Sequence, residues 1–182
     1  MNPSRLVKIS KYLSKHLRHQ PHRLGLELEP GGWVAVEDLL AACEAHRFPL
    51  SREQLEEVVA RNDKQRFSFD PTGTRIRANQ GHSIPVDLQL SPQVPSDRLY
   101  HGTGEKAIAS ILQQGLLPMS RHHVHLSPDR ETAMRVGRRH GRPVVLEVDA
   151  AAMYRAGCIF YRSENGVWLT DAVAPQYLTV VP

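Results

Sequence analysis

Leu6, Ile9, Leu13 and Leu17 recur at helical spacing near the start of the chain, while Lys8, Lys11, Lys15 and Arg18 recur on nearly the opposite side. The pattern predicts an amphipathic helix from an N-cap at Ser4 to about His19, where Pro21 opposes continuation. Leu26 and Leu28 alternate with acids before Gly31-Gly32, which predicts a short strand and a turn. Residues 36–45 read as a second helix, and Ser51-x-x-Gln54 has the form of a capping box opening a third that runs to about Asn62. A hairpin is expected next. Phe67 and Phe69 share a face opposed by Ile76, Arg66 and Ser68 with Arg75 and Arg77 take the other, and Asp70-Pro-Thr-Gly73 supplies the turn.

Three helices followed by a hairpin resemble a winged helix. Residues 85–97 carry Pro85, Pro92 and Pro95 and no helical period, so they read as a linker between lobes spanning 1–84 and 98–182. Beyond it short strands and helices alternate: a strand through Leu99-Tyr100, a helix from about Lys106 to Gln114 stopped by Gly115, and a strand from His123 to Leu126. A helix from about Asp129 to His140 ends at Gly141 and is followed by the apolar strand Val144 to Val148. Glu164-Asn-Gly166 joins strands Ile159 to Arg162 and Val167 to Thr170, and Tyr177 to Val181 closes the sheet. The expected class is α+β, with the second lobe built on a small mixed or antiparallel sheet.

Composition narrows the picture modestly. With 182 residues and 41% apolar content the chain suffices for one ordinary domain or two small ones. A formal charge of +4 and a pI near 9.3 favour a polyanionic partner without choosing among RNA, a nucleotide and a membrane surface. No apolar run approaches the ~20 residues of a membrane helix. Cys43 and Cys158 are too few for a disulfide framework, and no secretory signal pattern is seen, so a cytoplasmic location is expected.

Arg18-His19, at the end of the basic helix, presents a guanidinium suited to a phosphate beside an imidazole able to exchange protons, although His19 could equally serve as a C-terminal cap. Arg66 precedes the inward-facing Phe67, and the polar run Arg77-Ala-Asn-Gln-Gly-His82-Ser83 contains a glycine able to bring backbone amides near an anion. His101-Gly102-Thr103 ends a strand with a residue lacking Cβ, suiting close approach of a nucleotide; a hydrogen-bonded buried histidine is the alternative for His101. This is not GxGxxG, so a hydride-transfer enzyme is not indicated. Arg121-His122-His123-Val-His125-Leu-Ser127 gathers three histidines in four residues. In a strand His123 and His125 share a face with Arg121, and no cysteine or spaced carboxylate completes a tetrahedral set, so an anionic ligand suits the segment better than a metal. Arg135, Arg138, Arg139 and Arg142 read as a solvated flank.

These segments, together with Ser10-Lys-Tyr-Leu-Ser14, Asp63-Lys-Gln-Arg66-Phe67 and Phe160-Tyr-Arg-Ser-Glu-Asn-Gly166-Val-Trp168, resemble in order and separation the Tpt1/KptA family of NAD-dependent RNA 2′-phosphotransferases. The resemblance implies an N-terminal winged-helix RNA lobe, a C-terminal ADP-ribosyltransferase-like NAD lobe and an active site in their cleft. It implies that NAD is consumed as co-substrate: the RNA 2′-phosphate attacks C1″, nicotinamide leaves, and an ADP-ribosylated RNA intermediate forms. O2″ then attacks phosphorus to give ADP-ribose 1″,2″-cyclic phosphate and 2′-OH RNA. By the same resemblance Arg18, Arg66 and Arg121 surround the phosphate and His19 assists the second step. His101, Gly102, Thr103, His123, His125 and Ser127 are expected to contact NAD, and Lys8, Lys11, Lys15, Lys64 and Arg77 to contact RNA. No metal and a monomer are expected. The residues leave the role of Glu164 open. They also leave open a winged-helix regulator that senses a nucleotide without turnover, and a transferase that caps terminal phosphates with ADP-ribose.

Overall fold

In the computed structural model, which describes residues 1–182, helix α1 (Pro3–Arg18) begins two residues earlier than expected. Asn2, not Ser4, is its N-cap, and the Asn2 side chain accepts from the Arg5 amide at 2.8 Å. Pro3 explains the shift, because its fixed φ and missing N–H suit the first helical position. Ile9, Leu13 and Leu17 are fully buried, whereas Lys8, Lys11 and Lys15 are exposed, so the two-faced pattern holds.

The chain divides between Gln89 and Leu90 into two units. In the first, the strand expected at Leu26–Leu28 does not form. The Leu26 amide is bonded to Pro21 O at 3.1 Å, closing a 3-10 turn that ends at Gly25 (φ 66°), and is thus withheld from a ladder. Leu26 is buried all the same, which shows why its alternation misled. The strand lies later, at β1 (Val34–Ala35). Helix α2 (Val36–Ala45) follows, then α3 (Arg52–Arg61) with the Ser51–Gln54 capping box formed in both directions. Strands β2 (Phe67–Phe69) and β3 (Arg75–Ala78) pair antiparallel with Phe69 opposite Ile76, and the sheet order is β1-β3-β2. Asp70 holds the turn by accepting from the Thr74 and Arg75 amides, each at 3.0 Å. One core joins α1, α2, α3 and the inner face of this sheet through Leu13, Leu39, Leu55, Phe67 and Ile76.

The second unit contains β4 (Arg98–Gly104), α4 (Ile108–Gln114), β5 (Val124–Leu126), α5 (Arg130–Gly137), β6 (Pro143–Asp149), α6 (Ala150–Arg155), β7 (Tyr161–Arg162), β8 (Trp168–Thr170) and β9 (Leu178–Val181). Its strands make two antiparallel sheets, β4-β6-β9 and β5-β8-β7, and the chain as a whole is α+β. The final strand therefore closes the β4-β6 sheet and not the β7-β8 hairpin. Tyr100 and Ser127 connect the sheets, with Tyr100 N donating to Ser127 O at 2.9 Å and Ser127 N to Tyr100 O at 2.6 Å. Helix α5 stops at Gly137, and Arg138–His140 tightens into a 3-10 turn. Helix α6 was not foreseen. Asp149 caps it by accepting from the Ala152 amide, but six residues are too few to display a helical period. No helix is long and apolar enough to cross a membrane.

Candidate functional site

Within the first unit, three expected groups are held by one loop. Arg18 is the last residue of α1 and His19 its C-cap, with the His19 amide donating to Lys15 O at 3.2 Å. Ser83 N donates to Arg18 O at 3.0 Å, and Ser83 Oγ lies 2.8 Å from His19 Nδ1. At the other end of the same loop, Asn79 N donates to Arg66 O at 2.9 Å, and Asn79 Nδ2 to Gln65 O at 2.7 Å. Between these anchors Gly81 takes φ 88°, and a β-carbon there would meet the Arg18 guanidinium at 3.6 Å, so the Arg18 side chain lies along this glycine. The segment after β3 thus ties the backbones of Arg18 and Arg66 together.

Arg66 is further fixed through a buried amide. Asn62 Oδ1 accepts from Arg66 Nη1 at 3.1 Å and from Lys64 N at 3.1 Å. Lys64 itself is exposed. The Arg77 guanidinium lies 4.5 Å from the Trp33 ring centroid, and its Nη1 donates to Gly31 O at 3.2 Å.

In the second unit the expected cofactor residues gather where β4 meets β5. His101 Nδ1 lies 3.0 Å from His125 O. A carbonyl only accepts, so Nδ1 carries the proton and, in the neutral ring, Nε2 presents a lone pair. Burial pushes the His101 pKa down, with His140 adding to the effect, which favours that neutral ring. Arg121 does not share a strand face with His123 as expected. Its amide closes a turn on Pro118 O, β5 starts only at Val124, and the guanidinium reaches His125 Nδ1 at 2.9 Å. A guanidinium only donates, so His125 Nδ1 is the acceptor. Arg121 is exposed overall, yet desolvation of its guanidinium and then the charge of Arg139 push its pKa down. It remains a cation at neutral pH.

Gly102 has a packing reason of its own. A β-carbon there would lie 1.6 Å from Ala133 O, so the glycine admits helix α5 against β4. Gly104 does the same for the following turn, where a β-carbon would lie 2.2 Å from His140 O. Thr103 between them is buried. His123 and His125 are both partly buried and alternate with buried Val124 and Leu126. His123 packs its ring against Tyr161 and lies 3.8 Å from Asp171; burial pushes its pKa down against the opposing pull of that carboxylate. Ser127 serves the link to Tyr100 through its backbone, and Glu164 is exposed in the β7-β8 turn.

Asn62 does not stand out in the sequence, whereas Asn79 and Ser83 lie in the polar run 77–83 that does, without individual roles there. Arg139, expected on a solvated flank, lies close enough to lower the Arg121 pKa, and His140, which has no role in the sequence reading, lowers that of His101. No group of three or more His, Cys, Asp or Glu side chains is placed to hold a metal ion.

Residues 4–172 match the family described as RNA 2′-phosphotransferase, Tpt1/KptA family. The chain is 66% identical over 178 residues to a probable RNA 2′-phosphotransferase of Trichormus variabilis, covering 98% of each. It is 64% identical to the protein of that name from Nostoc punctiforme, again over 98% of each chain, and 59% identical to that of Herpetosiphon aurantiacus over 99% of each. With nearly its whole length matched, the chain belongs to the Tpt1/KptA family of RNA 2′-phosphotransferases.

Proposed function

We propose that the protein is an RNA 2′-phosphotransferase that consumes NAD⁺ and transfers an internal RNA 2′-phosphate to its ribose. The observation that carries the reading is the shared anchoring of Arg18, His19 and Arg66 by the Asn79–Ser83 loop, in a chain of this family. A phosphate dianion must be aimed at an electron-poor sugar carbon, and later must carry charge on its nonbridging oxygens. Preplaced guanidiniums suit both tasks, because their hydrogen-bond donors are fixed before charge develops. Arg18, Arg66 and Arg121 fill that role, and they act as electrostatic groups, since arginine does not exchange its proton at neutral pH.

In the first step a 2′-phosphate oxygen bonds to C1″ and the bond to nicotinamide breaks. In the second, O2″ bonds to phosphorus and the RNA O2′ leaves, so one proton passes from O2″ to O2′. His19, whose imidazole can take up and give back a proton, moves that proton. The products are nicotinamide, ADP-ribose 1″,2″-cyclic phosphate and RNA with a 2′-hydroxyl. His101 supports the NAD assignment: its Nε2 lone pair suits a ribose hydroxyl. Gly102, Thr103, His123, His125 and Ser127 complete that proposed surface. The first unit, with its three helices and antiparallel β2-β3 hairpin, is proposed as the winged-helix RNA lobe. Exposed Lys8, Lys11, Lys15 and Lys64 face the phosphodiester backbone, and Arg77 adds a stacked guanidinium. The second unit is proposed as the ADP-ribosyltransferase-like lobe.

The test is incubation of the purified chain with NAD⁺ and an oligoribonucleotide bearing an internal 2′-phosphate, with products resolved by mass. Loss of the phosphate with release of nicotinamide and cyclic phosphate is expected. Binding without turnover would favour a regulator, and a persistent ADP-ribosyl adduct would favour a phosphate-capping transferase.

A further inference from the structure

We propose that Ser83 is a positioning residue for His19: its Oγ accepts a hydrogen bond from Nδ1–H and thereby makes Nε2 the nitrogen that takes and returns the proton. The inference rests on the reaction proposed above and deepens it.

Ser83 Oγ and His19 Nδ1 are separated by 2.8 Å, a full hydrogen bond between residues 64 positions apart in sequence. The contact is not incidental to a mobile loop. The Ser83 amide donates to Arg18 O at 3.0 Å, so the hydroxyl is carried on a backbone bonded to the residue preceding His19. The loop's other end is bonded to Arg66 O through Asn79 N at 2.9 Å. The imidazole orientation is therefore referenced to the same frame that holds the two arginines.

A hydroxyl can donate or accept, and the chemistry selects between the two. During the second step His19 must be neutral when it takes the proton from O2″ and doubly protonated before it returns a proton to O2′. With Nδ1–H donated to Ser83, that hydrogen bond persists through both states, and only Nε2 gains and loses a proton. If Ser83 donated to Nδ1 instead, Nε2 would already carry a proton in the neutral ring and could not act as the base. Proton balance is internal to the step: the bond from phosphorus to O2″ forms, the bond to O2′ breaks, and the proton moves from one oxygen to the other.

The first step requires no such transfer, because its nucleophile is already an anion. Ser83→Ala, which removes an exposed hydroxyl, is thus expected to slow cyclic phosphate formation roughly tenfold to a hundredfold, less than the ~10²–10⁴ contributed by general acid–base catalysis as a whole. Nicotinamide release falls less, so ADP-ribosylated RNA accumulates, and Ser83→Thr restores the wild-type partition. In parallel, ¹⁵N-edited NMR of the imidazole in the full chain reads the tautomer: Nδ1–H is expected in the wild type, with a shift toward Nε2–H in Ser83→Ala. An Nε2–H tautomer in the wild type overturns the inference, as does an unchanged partition between steps in Ser83→Ala. A wild-type protein that never releases nicotinamide overturns the proposed function, and the tautomer measurement then decides the Ser83 contact on its own.

Discussion

Asn62 Oδ1 accepts from Arg66 Nη1 at 3.1 Å while Asn62 Nδ2 donates to Ser10 Oγ at 3.0 Å, so one buried amide joins a proposed phosphate ligand to helix α1. Removing it leaves a buried hydroxyl without that donor and a guanidinium without that support. Asn62→Ala is expected to cost about 1–3 kcal/mol in urea unfolding, the usual penalty for stranding buried polar groups. Turnover by the folded fraction should also fall, whereas Asn62→Asp, which keeps an acceptor for Arg66, should recover part of the rate. A stability loss with unchanged turnover would reduce Asn62 to a purely structural role.

The cationic groups themselves should matter in the transition state more than in the fold. Arg18→Ala, Arg66→Ala and Arg121→Ala are each expected to raise the barrier by ~2.7–4 kcal/mol, the range for losing one preorganised donor. His19→Ala should cost a comparable amount, concentrated in cyclic phosphate formation. Near-normal rates in all four, with circular dichroism unchanged, would remove the mechanism.

Gly102 tests a different part of the chain. With Ala133 O only 1.6 Å from the position of an added β-carbon, Gly102→Ala must push α5 off β4. Overpacking of this sort costs typically ~1–3 kcal/mol, and a clash with backbone lies at or beyond the upper end. Thermal unfolding of the full chain is the measurement; a variant as stable as wild type would mean that α5 shifts at little cost.

Both chemical steps as proposed proceed without a metal ion. Turnover is therefore expected to survive prolonged dialysis against a chelator, with rates compared before and after. A loss restored specifically by zinc would contradict the proposed chemistry.

Elements with a full period were legible in the sequence: α1 from Ile9, Leu13 and Leu17, α3 from its capping box, and the β2-β3 hairpin from Phe69 opposite Ile76. Leu26 shows the limit. Burial drives alternation whether or not the backbone enters a ladder, so a loop side chain reached the core with a strand's signature. Helix α6 and the start of β5 were too short to carry a period. For the site, arginines and histidines stood out because few structural roles suit them. Asn62 and Ser83 did not, since their importance comes from partners 52 and 64 positions away, a relation that only the fold creates. Gly102 stood out as a place of close approach, but its packing against Ala133 O was not legible, because a missing Cβ does not say what fills the space.

The last prediction concerns pH. Burial pushes the pKa of His16, His101 and His123 below the ordinary value of 6.5. In the unfolded chain each would bind a proton near 6.5, while the folded chain resists it, so the unfolded state holds more protons in the window just below that value. Stability is therefore full above pH 6.5 and declines as pH falls toward the depressed folded values, below which the loss levels off. Asp70, Asp129 and Asp149 have pKa values lowered from 3.8, and Glu53 and Glu57 from 4.5, so their contribution is lost mainly in stronger acid, and the interval from pH 8 to 6 reports chiefly on the histidines. Urea midpoints across that interval should fall for the wild type and fall less steeply for His101→Asn, whose amide can still donate to His125 O. Parallel curves for the two proteins would mean that His101 ionises as readily in the folded chain as in the unfolded one, and that its ring is not held neutral by the surroundings of β4 and β5.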